Sequence, residues 1–235
     1  MSKTVGISRN VKIEWLDKVA GLYIAGNTEE EIRSKLDEYL SLKIKSEVNR
    51  RKTRTILTKI WVEDIKEMEE SKDIAIRLFK TGKEKNMLLA HWCLMIMAYP
   101  MFRDLCKSIG TMDRNMFPIT TRDIKRRMFD IWGERSTLNH AIDKNIQTLR
   151  DMNILYPKCN GEYGINQIEI DDSEGLILIT NVLVYDKGNL YISVESLNES
   201  PEIFPFIYCI TTDILEHNSL LSVNRFGGEL VVSRV

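Results

Sequence analysis

The sequence lacks the glycine-rich loop that cradles phosphates. Its twelve glycines are scattered, and the one adjacent pair, Gly227-Gly228, is not followed by a helix pattern. Cysteine is sparse: Cys93, Cys106, Cys159 and Cys209 form no CxxC pair and take no zinc-ligand spacing with His91, His140 or His217. Four buried free thiols are therefore expected, with no disulfide framework and no metal. No HExxH or GxSxG motif is present. His91 lies in an apolar run and reads as a satisfied core histidine, while His217 follows Glu216 in an expected surface turn. The acidic pairs Glu69-Glu70 and Asp171-Asp172 are sequence neighbours, which point apart on a helix or strand and do not converge on a substrate. The expectation is a protein without catalysis of its own and without a cofactor. Long apolar runs are also missing. The best, Met87 to Tyr99, is interrupted by His91 and ends at Pro100, short of the ~18–20 residues a membrane helix needs. The opening MSKTVGISRN has no apolar secretory run, so a cytoplasmic chain with no membrane partner is expected.

What the sequence does have is a charge asymmetry. The formal net charge is -1, yet residues 160–235 hold twelve acids against Lys187, Arg225 and Arg234, a balance of -9, so residues 1–159 carry +8. A basic front is what a phosphate-binding segment requires.

Helical periodicity fills the first half. Trp15, Val19, Leu22 and Tyr23 share a face before Gly26, and Thr28 with Glu31 forms a capping-box signature ahead of Ile32, Leu36, Tyr39 and Leu40. Ser46 is placed to cap a third helix reaching about Val62, basic in its first half and apolar in its second. An acidic stretch from Glu63 to Asp73 precedes the next helix. Asn86 to Tyr99 is apolar nearly all round, a central helix, and Pro100 either ends it or opens a following helix that Gly110 would stop. Residues 1–112 thus read as a helical bundle.

From Asp113 the character changes. Thr120-Thr121 starts RDIKRRMFDIW, which Gly133 ends. Ser136 is expected to cap a helix with Leu138, Ile142, Ile146 and Leu149 on its apolar face. Tyr156 and Tyr163 then flank Asn160-Gly161, a strong hairpin turn signal. Helix, turn, helix, hairpin is the order of a winged helix-turn-helix, so residues 113–170 are expected to form such a unit, with the second helix reading the groove. Residues 171–235 are expected to be an acidic, strand-rich α+β extension: LILITNVLV and LYISV as strands turning at Lys187-Gly188, 202–217 as a helix despite Pro205, and a final hairpin over Phe226-Gly227-Gly228. The fold class is mainly α.

Two basic clusters are the candidate site. Arg50, Arg51, Lys52 and Arg54 form one, and Arg122, Lys125, Arg126 and Arg127 the other. Each cation can neutralise a phosphate and release a counterion without reading sequence. On the polar face of the candidate recognition helix, Asn139, Lys144 and Gln147 are types that read base edges, and His140 is placed to meet a base edge or phosphate. Duplex DNA is the first expected partner and structured RNA the second. A rival expectation is an adaptor that docks a basic protein through the acidic residues of 171–235.

The segments WLDKVAGLYIAGNTEEEIRSKL, NRRKTRTILTKIW, LLAHWCLMIMAYPMFRDLC and ITTRDIKRRMFDIWGERSTLNHAIDKNIQTLRDMNIL, in this order, resemble the BrxA family of BREX bacteriophage-defence operons, over about residues 10–165. The resemblance implies a bundle similar to the NusB antitermination proteins. It also implies non-enzymatic nucleic-acid binding within a phage-restriction system, with other BREX proteins, such as its methyltransferase or ATPase subunits, as possible partners.

Overall fold

The helix-start chemistry of the sequence is realised nearly throughout the N-terminal half. The structure, a computed structural model, describes residues 6–63, 69–187, 191–216, 218 and 221–234, with the side chains of 186, 187 and 234 outside that description. Helix α1 (Ile13–Ile24) stops at Gly26, which takes a positive φ of 77°. Helix α2 (Glu29–Ser41) opens with the complete capping box: Glu31 N donates to Thr28 Oγ1 and Thr28 N donates to Glu31 Oε2. Helix α3 (Glu47–Trp61) is capped by Ser46 through the amide of Asn49. Helix α4 (Glu69–Lys80) follows, and then α5 (Glu84–Ala98), buried on all sides from Leu89 to Ala98. Pro100 is the first residue of α6 (Pro100–Arg114), where its missing N–H is not needed. Helices α7 (Thr121–Trp132) and α8 (Ser136–Asp151) complete the helical front.

Gly110 does not stop α6, which runs on to Arg114. The glycine is required by packing instead. A Cβ there would lie 2.0 Å from the carbonyl oxygen of Pro201, in the 3-10 turn Pro201–Ile203 that rests on α6. Ser136 is likewise not the cap of α8: Arg135 occupies that position in extended conformation, with no side-chain cap bond.

The largest departure lies in the C-terminal stretch. Residues 173–187 form a helix, α9 (Ser173–Lys187), not strands. Leu178, Ile179, Val182, Leu183 and Val184 are all buried on it, against α4 and α5. A continuous apolar run has no period to distinguish helix from strand, and tertiary burial overrides the β preference of Ile and Val. Asp172 supplies the start signal, its Oδ1 accepting from Gly175 N. The expected turn at Lys187-Gly188 lies partly outside the described residues, as does His217. The helix expected over 202–217 is broken up. After the Pro201–Ile203 turn the chain is extended at Phe206–Ile207, and a short helix spans Thr212–Glu216.

Strand structure is small. β1 (Leu155–Pro157) and β2 (Tyr163–Ile165) form an antiparallel hairpin, and β3 (Ile168–Glu169) pairs in parallel with β5 (Phe206–Ile207). The last sheet has the order β4–β7–β6, where β4 is Ile192–Ser193, β6 Leu221–Phe226 and β7 Glu229–Arg234. Between β4 and β5 comes the short helix α10 (Val194–Asn198), and the helix at Thr212–Glu216 is α11. As the sequence indicated, β6 and β7 turn over Gly227-Gly228, both at positive φ. The protein is therefore mainly α with a little sheet near its C-terminus.

One contiguous apolar core runs from Ile7 to Val232, so the stretches 1–112, 113–170 and 171–235 share it. Trp92 of α5 shows how. Its ring meets Phe102 of α6 and Phe204 and Phe206 of the C-terminal stretch edge-on, at 5.5, 5.4 and 5.7 Å between centroids, and its Nε1 donates to Glu202 O. Some of the C-terminal acids serve this docking: Glu174 pairs with Arg77 and Asp171 with Lys85. Among the described residues no helix is long and apolar enough to cross a membrane.

Candidate nucleic-acid interface

The candidate site is carried by α6, α7, α8 and the β1–β2 hairpin. Just before α7, Thr120 forms a bridge with Glu162, and Tyr163 N donates to Ile119 O at 2.8 Å. The extended residue ahead of α7 thus becomes a third, one-residue strand beside β2. Thr120 also caps α7, accepting from Asp123 N. Asn160 and Gly161 take positive φ of 57° and 74° in the hairpin loop. Across the hairpin Tyr156 faces Gly164, whose bare backbone leaves room for the tyrosine ring, and Lys158 Nζ lies 6.0 Å from that ring's centroid.

Helix α8 buries Leu138, Ala141, Ile142, Asn145, Ile146, Thr148 and Leu149. Its opposite face presents Asn139, His140, Asp143, Gln147 and Arg150 to solvent, with Lys144 half-buried and donating to Gln147 Oε1 at 3.4 Å. Four expected contact residues, Asn139, His140, Lys144 and Gln147, are thus together on one helix.

The basic cluster on α7 is divided. Lys125 reaches across to Asp143 of α8 at 2.7 Å, and Arg126 pairs with Asp123 one turn back at 3.1 Å while 70% exposed. Arg127 lies 5.9 Å from the Phe117 ring. Arg122 is exposed and, among the described residues, pairs with no carboxylate.

The cluster on α3 divides more sharply. Arg50 Nε and Arg54 Nη1 both donate to Asp37 Oδ1, at 3.1 and 2.9 Å, tying α3 to α2. They are four residues apart and so share the face turned to α2. Arg51 and Lys52 are exposed. Asp37 offsets one of these charges and holds both side chains against α2, so of the four cations that the sequence counts only Arg51 and Lys52 stand free at the surface among the described residues, and the cluster with Asp37 carries one positive charge fewer.

Asp37 and Arg9 shape this surface, and neither carries a short-range signal. Arg9 lies at a bend in an N-terminal strap ahead of α1 whose Ile7 and Val11 are wholly buried. It donates from Nε to Asn49 Oδ1 at 3.1 Å, at the start of α3, and from Nη1 to Ser8 O at 2.7 Å. The strap is fixed to α8 by Asn145 Nδ2 donating to Ile7 O, Val11 N donating to Thr148 Oγ1, and Asn10 Nδ2 donating to Asp151 Oδ2.

Elsewhere, His91 is wholly buried and fully bonded, as a core histidine. Trp61 Nε1 donates to its Nδ1 at 3.0 Å, so the ring proton sits on Nε2 and is given to Asp17 Oδ1 at 2.9 Å. The contact with Asp17 is thus a hydrogen bond of the neutral ring, not an ion pair. Burial pulls its pKa down, and Asp17 opposes this only in part. The other face of Asp17 lines a cleft of about 490 Å3 with Glu84, Lys85 and Ile168. Of the cysteines, Cys93 and Cys106 are buried with their thiols pushed up by desolvation, whereas Cys159 and Cys209 are exposed, against the expectation of four buried thiols. Among the described residues no three His, Cys, Asp or Glu side chains gather as metal ligands. No family model matches the chain, and no curated protein or solved structure matches it either.

Proposed function

We propose that the chain is a nucleic-acid-binding protein without catalysis of its own, holding duplex DNA through a winged helix-turn-helix formed by α6, α7, α8 and the β1–β2 wing. The observation that carries this reading is the Thr120–Glu162 bridge. It locks the residue before α7 onto the hairpin that follows α8, and so gives the sequence order helix, strand, helix, helix, hairpin a shared edge. In this reading α8 enters the major groove with Asn139, His140, Lys144 and Gln147, and Arg122 and Arg126 at the start of α7 meet the backbone. Lys158 and Tyr156 on the wing lie over the neighbouring backbone. Following the family resemblance, the setting is a BREX defence system and the bundle α1–α5 is the part similar to NusB. A methyltransferase, a Lon-like protease and a large ATPase encoded alongside would support that setting.

Six exposed cations offer themselves to phosphates: Arg51, Lys52, Arg122, Arg126, Arg150 and Lys158. About six contacts give a log–log salt slope near -5 and an affinity loss on the order of 10³ between 50 and 200 mM salt. Fluorescence anisotropy with a labelled duplex of about 30 base pairs measures this directly. Absence of binding at 50 mM salt, or binding indifferent to salt, refutes the proposal.

A further inference from the structure

We infer that the N-terminal strap, through Arg9, forms the second flank of the nucleic-acid surface, so that α8 lies between two phosphate-contacting edges and α3 extends the one opposite α7. The inference rests on the reading of α8 as the groove helix. Residues three and four apart align along a helix. On α8 the positions 141, 145, 148 and 152 therefore form one row, and 139, 143, 146 and 150 another on the far side. The strap is bonded to the first row, through Asn145 and Thr148. Helix α7 is bonded to the second, through Lys125 and Asp143. Between the two rows, on the solvent side, lie His140, Lys144, Gln147 and Asp151.

From one side to the other the surface thus runs α7, the open face of α8, the strap, and the start of α3, which Arg9 touches through Asn49. The two cationic clusters are on opposite flanks of one helix, joined across it. A helix seated in a groove about 12 Å wide meets a phosphate strand on each side. Arg122 and Arg126 face one strand. Arg9, with Arg51 and Lys52 behind it, faces the other. Arg9 commits two donors to Asn49 and Ser8 and keeps further guanidinium N–H groups for a phosphate. The acids on the open face of α8 and its α7 edge are Asp143, paired with Lys125, Asp123, paired with Arg126, the exposed Asp130, and Asp151, which accepts from the uncharged Asn10, while Glu47 is exposed at the start of α3.

The test compares wild-type protein with Arg9→Gln, Arg9→Lys and, for an equal change in net charge, Arg77→Gln, whose arginine pairs with Glu174. Each is titrated against the same duplex over 50–200 mM salt. Arg9→Gln is expected to flatten the log–log slope by about 0.9, making the loss over this range roughly 3- to 4-fold smaller, with weaker binding at 50 mM. Arg9→Lys keeps the charge and is expected to keep the slope, and Arg77→Gln to match wild type. If Arg9→Gln leaves the slope unchanged while wild type binds, the flank is wrong and the groove-helix reading survives. If Arg9→Lys loses as much as Arg9→Gln, the residue acts only by holding the strap, and the inference falls. If wild type does not bind, the functional reading fails, and this inference with it.

Discussion

Asp37→Asn separates what the α3 arginines do for stability from what they do for a polyanion. The substitution keeps the shape and one acceptor oxygen but removes the charge to which Arg50 and Arg54 both donate. The three side chains are 20–34% exposed, so solvent screens the pairs and each contributes about 0.2–1 kcal/mol. Arg54 Nε is already buried without a hydrogen-bond partner, so weakening its other contact adds to the loss. The expected destabilisation is about 1–2 kcal/mol, or a fall of roughly 2–8 °C in Tm for a chain of this size. Binding should move the other way. One more unneutralised positive charge beside Arg51 and Lys52 steepens the salt slope by about 0.9 and tightens binding at 50 mM. Thermal unfolding followed by circular dichroism reads the first quantity and duplex anisotropy the second. Lower stability with an unchanged slope would refute the placement of α3 in the interface, leaving its basic residues to hold α2 alone.

Three further outcomes test the fold. His91 is held neutral by burial, with Trp61 donating to Nδ1, so the unfolded chain takes up a proton below its ordinary pKa of 6.5 and the folded one resists. Its stability contribution is complete above that pH and is lost as pH falls below it, by up to about 1.4 kcal/mol per unit; urea midpoints of wild type and His91→Gln at pH 7.5 and 5.5 should differ in this sense, with the flatter response in the variant. Gly110→Ala places a Cβ 2.0 Å from the Pro201 carbonyl oxygen and should cost about 1–3 kcal/mol in urea unfolding despite the better helix propensity of alanine; a neutral or stabilising result would mean that the Pro201 turn does not rest on α6. Ile179→Ala in α9, where the side chain is wholly buried, should cost about 2–5 kcal/mol, whereas a surface strand at this place would lose little.

The parts of the fold that were legible in the sequence are those whose cause is local. The Thr28–Glu31 box, the Ser46 and Thr120 caps, the stop at Gly133 and the turns at Asn160-Gly161 and Gly227-Gly228 each need only a few consecutive residues, and each is where the sequence places it. Gly110 and Ser136 show the limit of the same rules. A glycine within a helix marks either an end or a close approach, and the approaching Pro201 is some ninety residues further along the chain. A serine at a helix start has nothing to cap when the preceding Arg135 already holds the extended position. For α9 the information was present but ambiguous, because LILITNVLV has apolar or small side chains on every side, as a buried helix and a buried strand both require.

The candidate site divides along the same line. The polar face of α8 follows from periodicity, so Asn139, His140, Lys144 and Gln147 fall together as expected. The basic clusters do not survive as counted, because neutralisation is a long-range property. Asp37 is thirteen residues from Arg50, and Asp143 reaches Lys125 from the neighbouring helix. A run such as NRRKTR records how many cations are available, while the fold decides which of them face solvent. The same long-range pairing that withdraws Arg50 and Arg54 brings Arg9 to the start of α3, through contacts spanning forty residues to Asn49 and about 140 to α8. The electrostatic surface of this protein is therefore set less by where its basic residues cluster in sequence than by which acids and amides the bundle places against them.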